Sequence, residues 1–377
     1  MYKIVVVTSA RSDYGLLKWT MHSIKENPLF ELQIIATGGH LSSEQGLTYR
    51  YIEKDGFHLN EKIPILLSSN TSSSLAKSLG LCNLYLADSL ERLSPDMLLV
   101  LGDRYELLSI CSTALIMNIP IAHISGGDVT EGAIDNEVRN AVTMMATLHF
   151  PGVDDSAKNI MRMRNSSDNI FVVGEPGIEN LCREELMTRE ELSNNLHIDF
   201  NKDWILFTYH PETKCTVEEN LQVSKRILKH LFSTYSDAEI IITKSNADLG
   251  GTQLNELWNF FQEKHMNVSL YSSLGQKRYN SLMNQVAAVI GNSSSGIVEA
   301  PNLGTPVLNI GNRQKGRHIC SNVIQTENVL DDGLAIAFSK VKKMSELKTK
   351  TPDYYWGDGK TAEKIINSIS DFLKNNK

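Results

Sequence analysis

Lys3-Ile-Val-Val-Val-Thr8, followed by Ser9-Ala-Arg-Ser-Asp-Tyr-Gly15, is the stretch whose reading decides the fold. An unbroken β-branched run such as Ile4-Val-Val-Val7 reads as a strand buried on both faces, as in parallel sheets. It ends in small residues, and a helix starts soon after. Short apolar runs alternate with helix-length amphipathic segments along the rest of the chain. In the first half the strand candidates are Glu31–Thr37, Lys62–Leu66, Met97–Leu101, Pro120–Ile124, Leu148–Pro151 and Ile170–Val173. In the second half they are Trp204–Tyr209, Glu239–Thr243, Val268–Tyr271, Ala287–Ile290 and Pro306–Ile310. The alternation restarts after Gly174-Glu-Pro-Gly177. This predicts an α/β protein of two Rossmann-like domains, 1–175 and 176–377, facing one cleft. Thr361 to Leu373 reads as an amphipathic helix closing the second domain, with Ala362, Ile365, Ile366, Ile369 and Phe372 inward.

Composition narrows the function classes. The chain has 377 residues, 37 Lys and Arg against 44 Asp and Glu, and a formal charge of −7. A mildly acidic chain lacks the basic face that nucleic acid requires. Its apolar runs fall far short of the roughly 20 residues that span a bilayer, so no membrane partner is expected. The opening strand does not resemble a secretory leader. Five cysteines, at 82, 111, 182, 215 and 320, are scattered and form no C-x-x-C pair. That disfavours disulfides and structural zinc and suits the cytoplasm.

Five motifs fall at predicted strand ends, where open α/β sheets bind ligands. The first holds Arg11, placed to take a phosphate; a helix N-terminus with a surface arginine accounts for it equally well. The second is Gly291-Asn-Ser-Ser-Ser-Gly296, where Ser293, Ser294 and Ser295 precede a helix and Glu299 lies one turn on. Backbone N–H groups and hydroxyls at a helix start form an anion site, favoured here over a mere N-cap. Neither a Gly-x-Gly-x-x-Gly fingerprint nor a Walker A ending is present, so no dinucleotide cofactor is indicated. The third combines Gly102-Asp-Arg104 with His123-Ile-Ser-Gly-Gly-Asp128, Glu131, Asp135 and Glu137. Adjacent strands would bring Asp103, Asp128 and Asp135 onto one rim, where carboxylates raise one another's pKa values. Taken singly, each acid is better explained as a solvated loop charge or a helix N-cap; the cluster as a whole is what points to chemistry. The fourth is Thr208-Tyr-His-Pro-Glu212, with His210 held extended by the following proline. The fifth, Gly311-Asn-Arg-Gln-Lys-Gly-Arg317, offers Arg313 to a phosphate or stays a solvated basic loop. No spacing matches a metal ligand set.

In this order the motifs resemble those of the hydrolysing UDP-N-acetylglucosamine 2-epimerases of sialic and legionaminic acid biosynthesis, nearly end to end. Ser9 to Leu17, Thr37 to Ser42, Gly132-Ala-Ile-Asp135, Tyr209 to Thr213, Gly291 to Pro301 and Asn309 to Arg317 carry the likeness, with Gly102-Asp-Arg104 and Ala122 to Asp128. The resemblance implies a GT-B-like fold and release of UDP from a UDP-2-acetamido sugar with inversion at C2. It implies elimination to a 2-acetamidoglucal followed by hydration, with no metal or redox cofactor. The enzyme is expected to be a homodimer or homotetramer. By motif, Arg11, Arg104, Asn246, Ser293, Ser294, Ser295, Glu299 and Arg313 correspond to UDP ligands. His210 corresponds to the histidine near the diphosphate, and Asp103 and Asp135 to catalytic carboxylates. Where many relatives carry a third catalytic acid, this chain has Ser125, and Asp128 is the candidate substitute. Asn136 and Asn140 also depart from the pattern, consistent with a different sugar such as a 4-acetamido-6-deoxy one. A non-hydrolysing 2-epimerase, a GT-B glycosyltransferase and a nucleotide-sugar-binding regulator without catalysis are the competing functions.

Overall fold

A computed structural model describes residues 1–67, 71–129, 134–212, 215–245, 251–347 and 349–376. The chain forms two compact units, 1–180 with 357–377, and 181–356.

The strands of the first unit are β1 (Tyr2–Thr8), β2 (Phe30–Thr37), β3 (Glu61–Ile63), β4 (Met97–Leu101), β5 (Ile121–Ile124) and β6 (Leu148–Phe150). They form one sheet in the order β3-β2-β1-β4-β5-β6, parallel throughout. β1 is central, and its residues alternate between two cores. Ile4 and Val6 pack with Leu17, Met21 and Ile24; Val5 and Val7 pack with Leu86, Leu90 and Ile110. An unbroken apolar run suits this place because both faces are covered. Each such side chain contributes about 1.5–3 kcal/mol on burial.

The second unit repeats the plan. Its strands are β7 (Trp204–Thr208), β8 (Glu239–Thr243), β9 (Val268–Tyr271), β10 (Ala288–Gly291), β11 (Val307–Ile310) and β12 (Val323–Thr326). Their order is β12-β11-β10-β7-β8-β9, again parallel. Two Rossmann-like α/β units are thus present.

Three expectations change. The helix Thr361–Asn375 belongs to the first unit, not the second. Ile365, Ile366, Ile369 and Leu373 join the core of Ile4 and Leu17, the Tyr2 hydroxyl donates to the Leu373 carbonyl at 3.0 Å, and buried Glu179 accepts the Ala362 N–H at 2.7 Å. The amphipathic pattern revealed a face to bury, but not its partner. Ile170–Val173 forms only one parallel bridge, His149 to Ile170. Conversely, β12 was not expected: it is a four-residue edge strand, half-buried and ending in Gln325 and Thr326, without an apolar run.

Candidate active site

Strand order reverses between β1 and β4 in the first unit and between β7 and β10 in the second. Loops diverge beyond such a switch point and leave room for a ligand at the carboxyl ends.

In the first unit, β4 turns sharply at Gly102, whose φ is +81°, a conformation open to glycine. The Gly102 carbonyl lies 2.8 Å from His123 Nε2. A carbonyl only accepts, so Nε2 carries the proton and Nδ1 accepts from the Thr143 hydroxyl at 3.4 Å. Burial pulls the His123 pKa down to about 4, so this ring is a neutral strut beneath the turn.

The turn delivers Asp103, which is ion-paired with Arg139. Arg139 is itself buried and also donates to the Asp128 carbonyl at 3.0 Å. Burial pushes the Asp103 carboxyl above the usual aspartate range; Arg139 opposes this, while Asp135, Asp128 and Asp13 push it further. The structure therefore brings Asp103, Asp128 and Asp135 into one electrostatic group. Asp135 opens the helix Asp135–Met145, with Arg139 one turn further on the same face. Asp128 accepts from the Ser156 hydroxyl at 2.5 Å. Ser125 is left-handed at φ +58°, its N–H held by the Phe150 carbonyl at 3.0 Å.

Arg11 begins the helix Arg11–Glu26 and is exposed, its guanidinium 4.8 Å from the centre of the Tyr51 ring. Arg104 is half-buried, with Nη2 3.1 Å from Glu106 and Nε 3.7 Å from Asp13.

In the second unit, the Gly291 φ is +142°, and the backbone turns into the helix Ser294–Asn302, with Ser293 at its N-cap. The Ser293 side chain does not cap the helix; its hydroxyl meets that of Ser295 at 2.9 Å. The Ser295 hydroxyl meets the Tyr279 hydroxyl at 2.8 Å. Ser294 and Ser295 occupy the first turn, where backbone N–H groups have no intrahelical acceptor. Asn292 clamps the His210 backbone from both sides, accepting its N–H and donating to its carbonyl, each at 2.8 Å. Arg313 is exposed and reaches back to the Asn292 carbonyl at 3.4 Å. Glu299 is half-buried; its Oε2 is shut from solvent without a partner, and burial raises its pKa. Asn246 and Glu131 lie outside the described residues. Among the described residues no group of three or more His, Cys, Asp or Glu is placed to hold a metal ion, and no helix is long and apolar enough to cross a membrane.

The family model of UDP-N-acetylglucosamine 2-epimerase matches residues 22–370. The chain belongs to that family. This family member is an enzyme, and its relatives agree along nearly their whole length. One, from Campylobacter jejuni, is a GDP/UDP-N,N'-diacetylbacillosamine 2-epimerase (hydrolysing), 40% identical over 90% of this chain and 87% of its own. A Legionella pneumophila UDP-N,N'-diacetylbacillosamine 2-epimerase (hydrolysing) is 31% identical over 97% of this chain and 95% of its own. Among solved structures, the Neisseria meningitidis UDP-GlcNAc 2-epimerase bound to UDP-GlcNAc matches with a TM-score of 0.80 and 17% identity, covering 98% of this chain and 100% of that one. The likeness places this family member in the GT-B-like fold.

Four residues of this family member escaped the sequence reading as parts of the site. Arg139 was legible as a partner spaced i, i+4 from Asp135. His123 stood in a quoted motif without a role. Asn292 likewise stood in a quoted motif without a role, and Tyr279 carried no signal, because only the fold brings a helix hydroxyl to Ser295 and an amide to His210.

Proposed function

We propose that the enzyme releases UDP from a UDP-2,4-diacetamido-2,4,6-trideoxyglucose with inversion at C2, consuming one water and giving UDP and the free manno-configured sugar. The observation that carries this reading is the carboxylate group around Asp103, with Asp103 above its ordinary range. A C2 proton is too weakly acidic to be removed directly at a useful rate. Departure of UDP makes the sugar oxocarbenium-like, and that proton becomes far more acidic. A carboxylate then takes it, leaving a 2-acetamidoglucal. Inversion requires the returning proton to reach C2 from the opposite face, which calls for a second carboxyl group; Asp103 and Asp135 fill these roles, with Asp128 in support. Water adds at C1. The diphosphate leaves against the first-turn N–H groups at Ser294 and Ser295, with Ser293, Arg313, Arg11, Arg104 and His210 contributing and Glu299 holding the ribose.

The diacetamido sugar is favoured over UDP-GlcNAc because both hydrolysing relatives described above are named for diacetylbacillosamine. Rates of UDP release from the two UDP-sugars, compared as kcat/KM, test this. A clear preference for the diacetamido substrate is expected; a preference for UDP-GlcNAc would reassign the sugar.

Two further outcomes follow. Arg313→Ala weakens UDP binding by about 1.5–3 kcal/mol, the scale of a charged hydrogen bond; unchanged affinity by calorimetry removes Arg313 from the site. The acid limb of kcat/KM lies above the ordinary aspartate range, because Asp103 must be ionised to accept a proton and its pKa is raised. Activity is then lost as pH falls through that raised value. Arg139→Met removes the charge that holds Asp103 down, so the limb moves to higher pH. A limb that stays in place in this variant excludes Asp103 as its source.

A further inference from the structure

Glu106 opens the helix Glu106–Ile116, directly after the Asp103 turn, and is fully buried. A carboxylate in that position costs several kcal/mol in desolvation unless it is paired. Its ionic partner is Arg104, whose Nη2 lies 3.1 Å from Oε1. Space for this carboxylate is made on the far side by Gly38, where a Cβ would stand 3.0 Å from the same oxygen. A second carboxylate, Asp13, approaches Arg104 Nε at 3.7 Å and is fixed in turn by the Ser9 hydroxyl at 2.9 Å. The guanidinium is thus hydrogen-bonded at Nη2, while Nε, shut from solvent without a hydrogen bond, has only the longer ionic contact with Asp13. Its Nη1 has no hydrogen-bond partner among the described residues. Asp103, the neighbour in sequence, has a separate counter-ion in Arg139. Two adjacent residues of opposite charge are therefore held apart by two independent ion pairs.

We infer that Glu106 is a positioning residue: it fixes the Arg104 guanidinium through Nη2 and so presents Nη1 to the phosphate of the substrate. A guanidinium released from Glu106 keeps only the 3.7 Å contact of Nε with Asp13 and loses the hydrogen bond that fixes Nη2. Nη1 is then no longer held in one direction, and its contact with the phosphate is lost. The inference rests on the nucleotide-sugar reading above.

The test is calorimetric titration of UDP into wild type, Glu106→Gln, Arg104→Met and the double variant. Glu106→Gln keeps the shape and one hydrogen bond but removes the charge; UDP affinity is expected to fall about tenfold, within the range of coupled neighbours. Glu106→Asp withdraws the carboxylate by one methylene and serves as a second variant, with a loss in the same direction. In the Arg104→Met background, where no guanidinium remains to be placed, Glu106→Gln is expected to change affinity by less than about twofold. The double variant buries no unpaired charge, so its folding is expected to be preserved. Unchanged affinity in both single Glu106 variants, or a Glu106→Gln effect that persists in full without Arg104, overturns the inference. Wild type that fails to bind UDP overturns the nucleotide-sugar reading itself and is separable from either result.

Discussion

Asp103→Asn lowers turnover by about 10²-fold or more, the usual size of an acid–base contribution, while UDP affinity stays nearly unchanged. The substitution keeps the shape of the side chain and its place on the Gly102 turn, which His123 supports independently. It removes the charge that Arg139 balances and the group that exchanges a proton with C2. Interactions made in the transition state add little to ground-state nucleotide binding, so kcat falls and UDP binding does not. Asp135→Asn is expected to slow the reaction too and, if hydration suffers more than elimination, to release the glucal. Asp128→Asn asks whether the acid missing at Ser125 has a substitute; near-normal turnover would remove Asp128 from the chemistry. Steady-state kinetics with product analysis checks all three. Normal turnover in both Asp103→Asn and Asp135→Asn contradicts the elimination–hydration scheme.

Gly291→Ala destabilises the second unit by about 3 kcal/mol or more and abolishes measurable UDP binding at concentrations that saturate wild type. At φ +142° the residue occupies backbone space that L side chains rarely enter. A Cβ there would stand 1.9 Å from the Thr208 carbonyl oxygen. That contact is with backbone, so no side-chain rotation relieves it. The same carbonyl accepts the Asn292 N–H at 3.1 Å. Pushing it away therefore breaks the end of the β7–β10 pairing and misplaces Asn292, which fixes the His210 backbone. Strain and lost hydrogen bonds together reach the upper range of single-residue effects. Thermal melts and calorimetry check this; a stable variant with normal UDP affinity would show that the turn tolerates rearrangement.

The central strands were legible because burial on both faces leaves an unmistakable pattern. β1, β4, β7 and β8 each read as unbroken apolar runs, and Met97–Leu101 and Glu239–Thr243 match their predicted ends. Edge strands lack that imprint, so β12 went unseen and Ile170–Val173 was overread. The helix Thr361–Asn375 shows a further limit: amphipathicity states that a face is buried, but the partner is set by chain path across more than 300 residues, as the Tyr2–Leu373 hydrogen bond illustrates. In the site, Asp103, Asp128 and Asp135 were readable because each follows a strand end or opens the next helix. Arg139 was legible only through its i, i+4 spacing from Asp135, and the Glu106 clamp was not, since burial of a charge leaves no mark in composition. Tyr279 reaches Ser295 only through the fold.

The most direct test of the hydrolysing reading is proton NMR of the reaction run in deuterated water with the UDP-2,4-diacetamido-2,4,6-trideoxy sugar. The expected result is stoichiometric UDP with a free manno-configured sugar carrying deuterium at C2. A manno-configured sugar still attached to UDP, or a free sugar that retains its C2 proton, would contradict it.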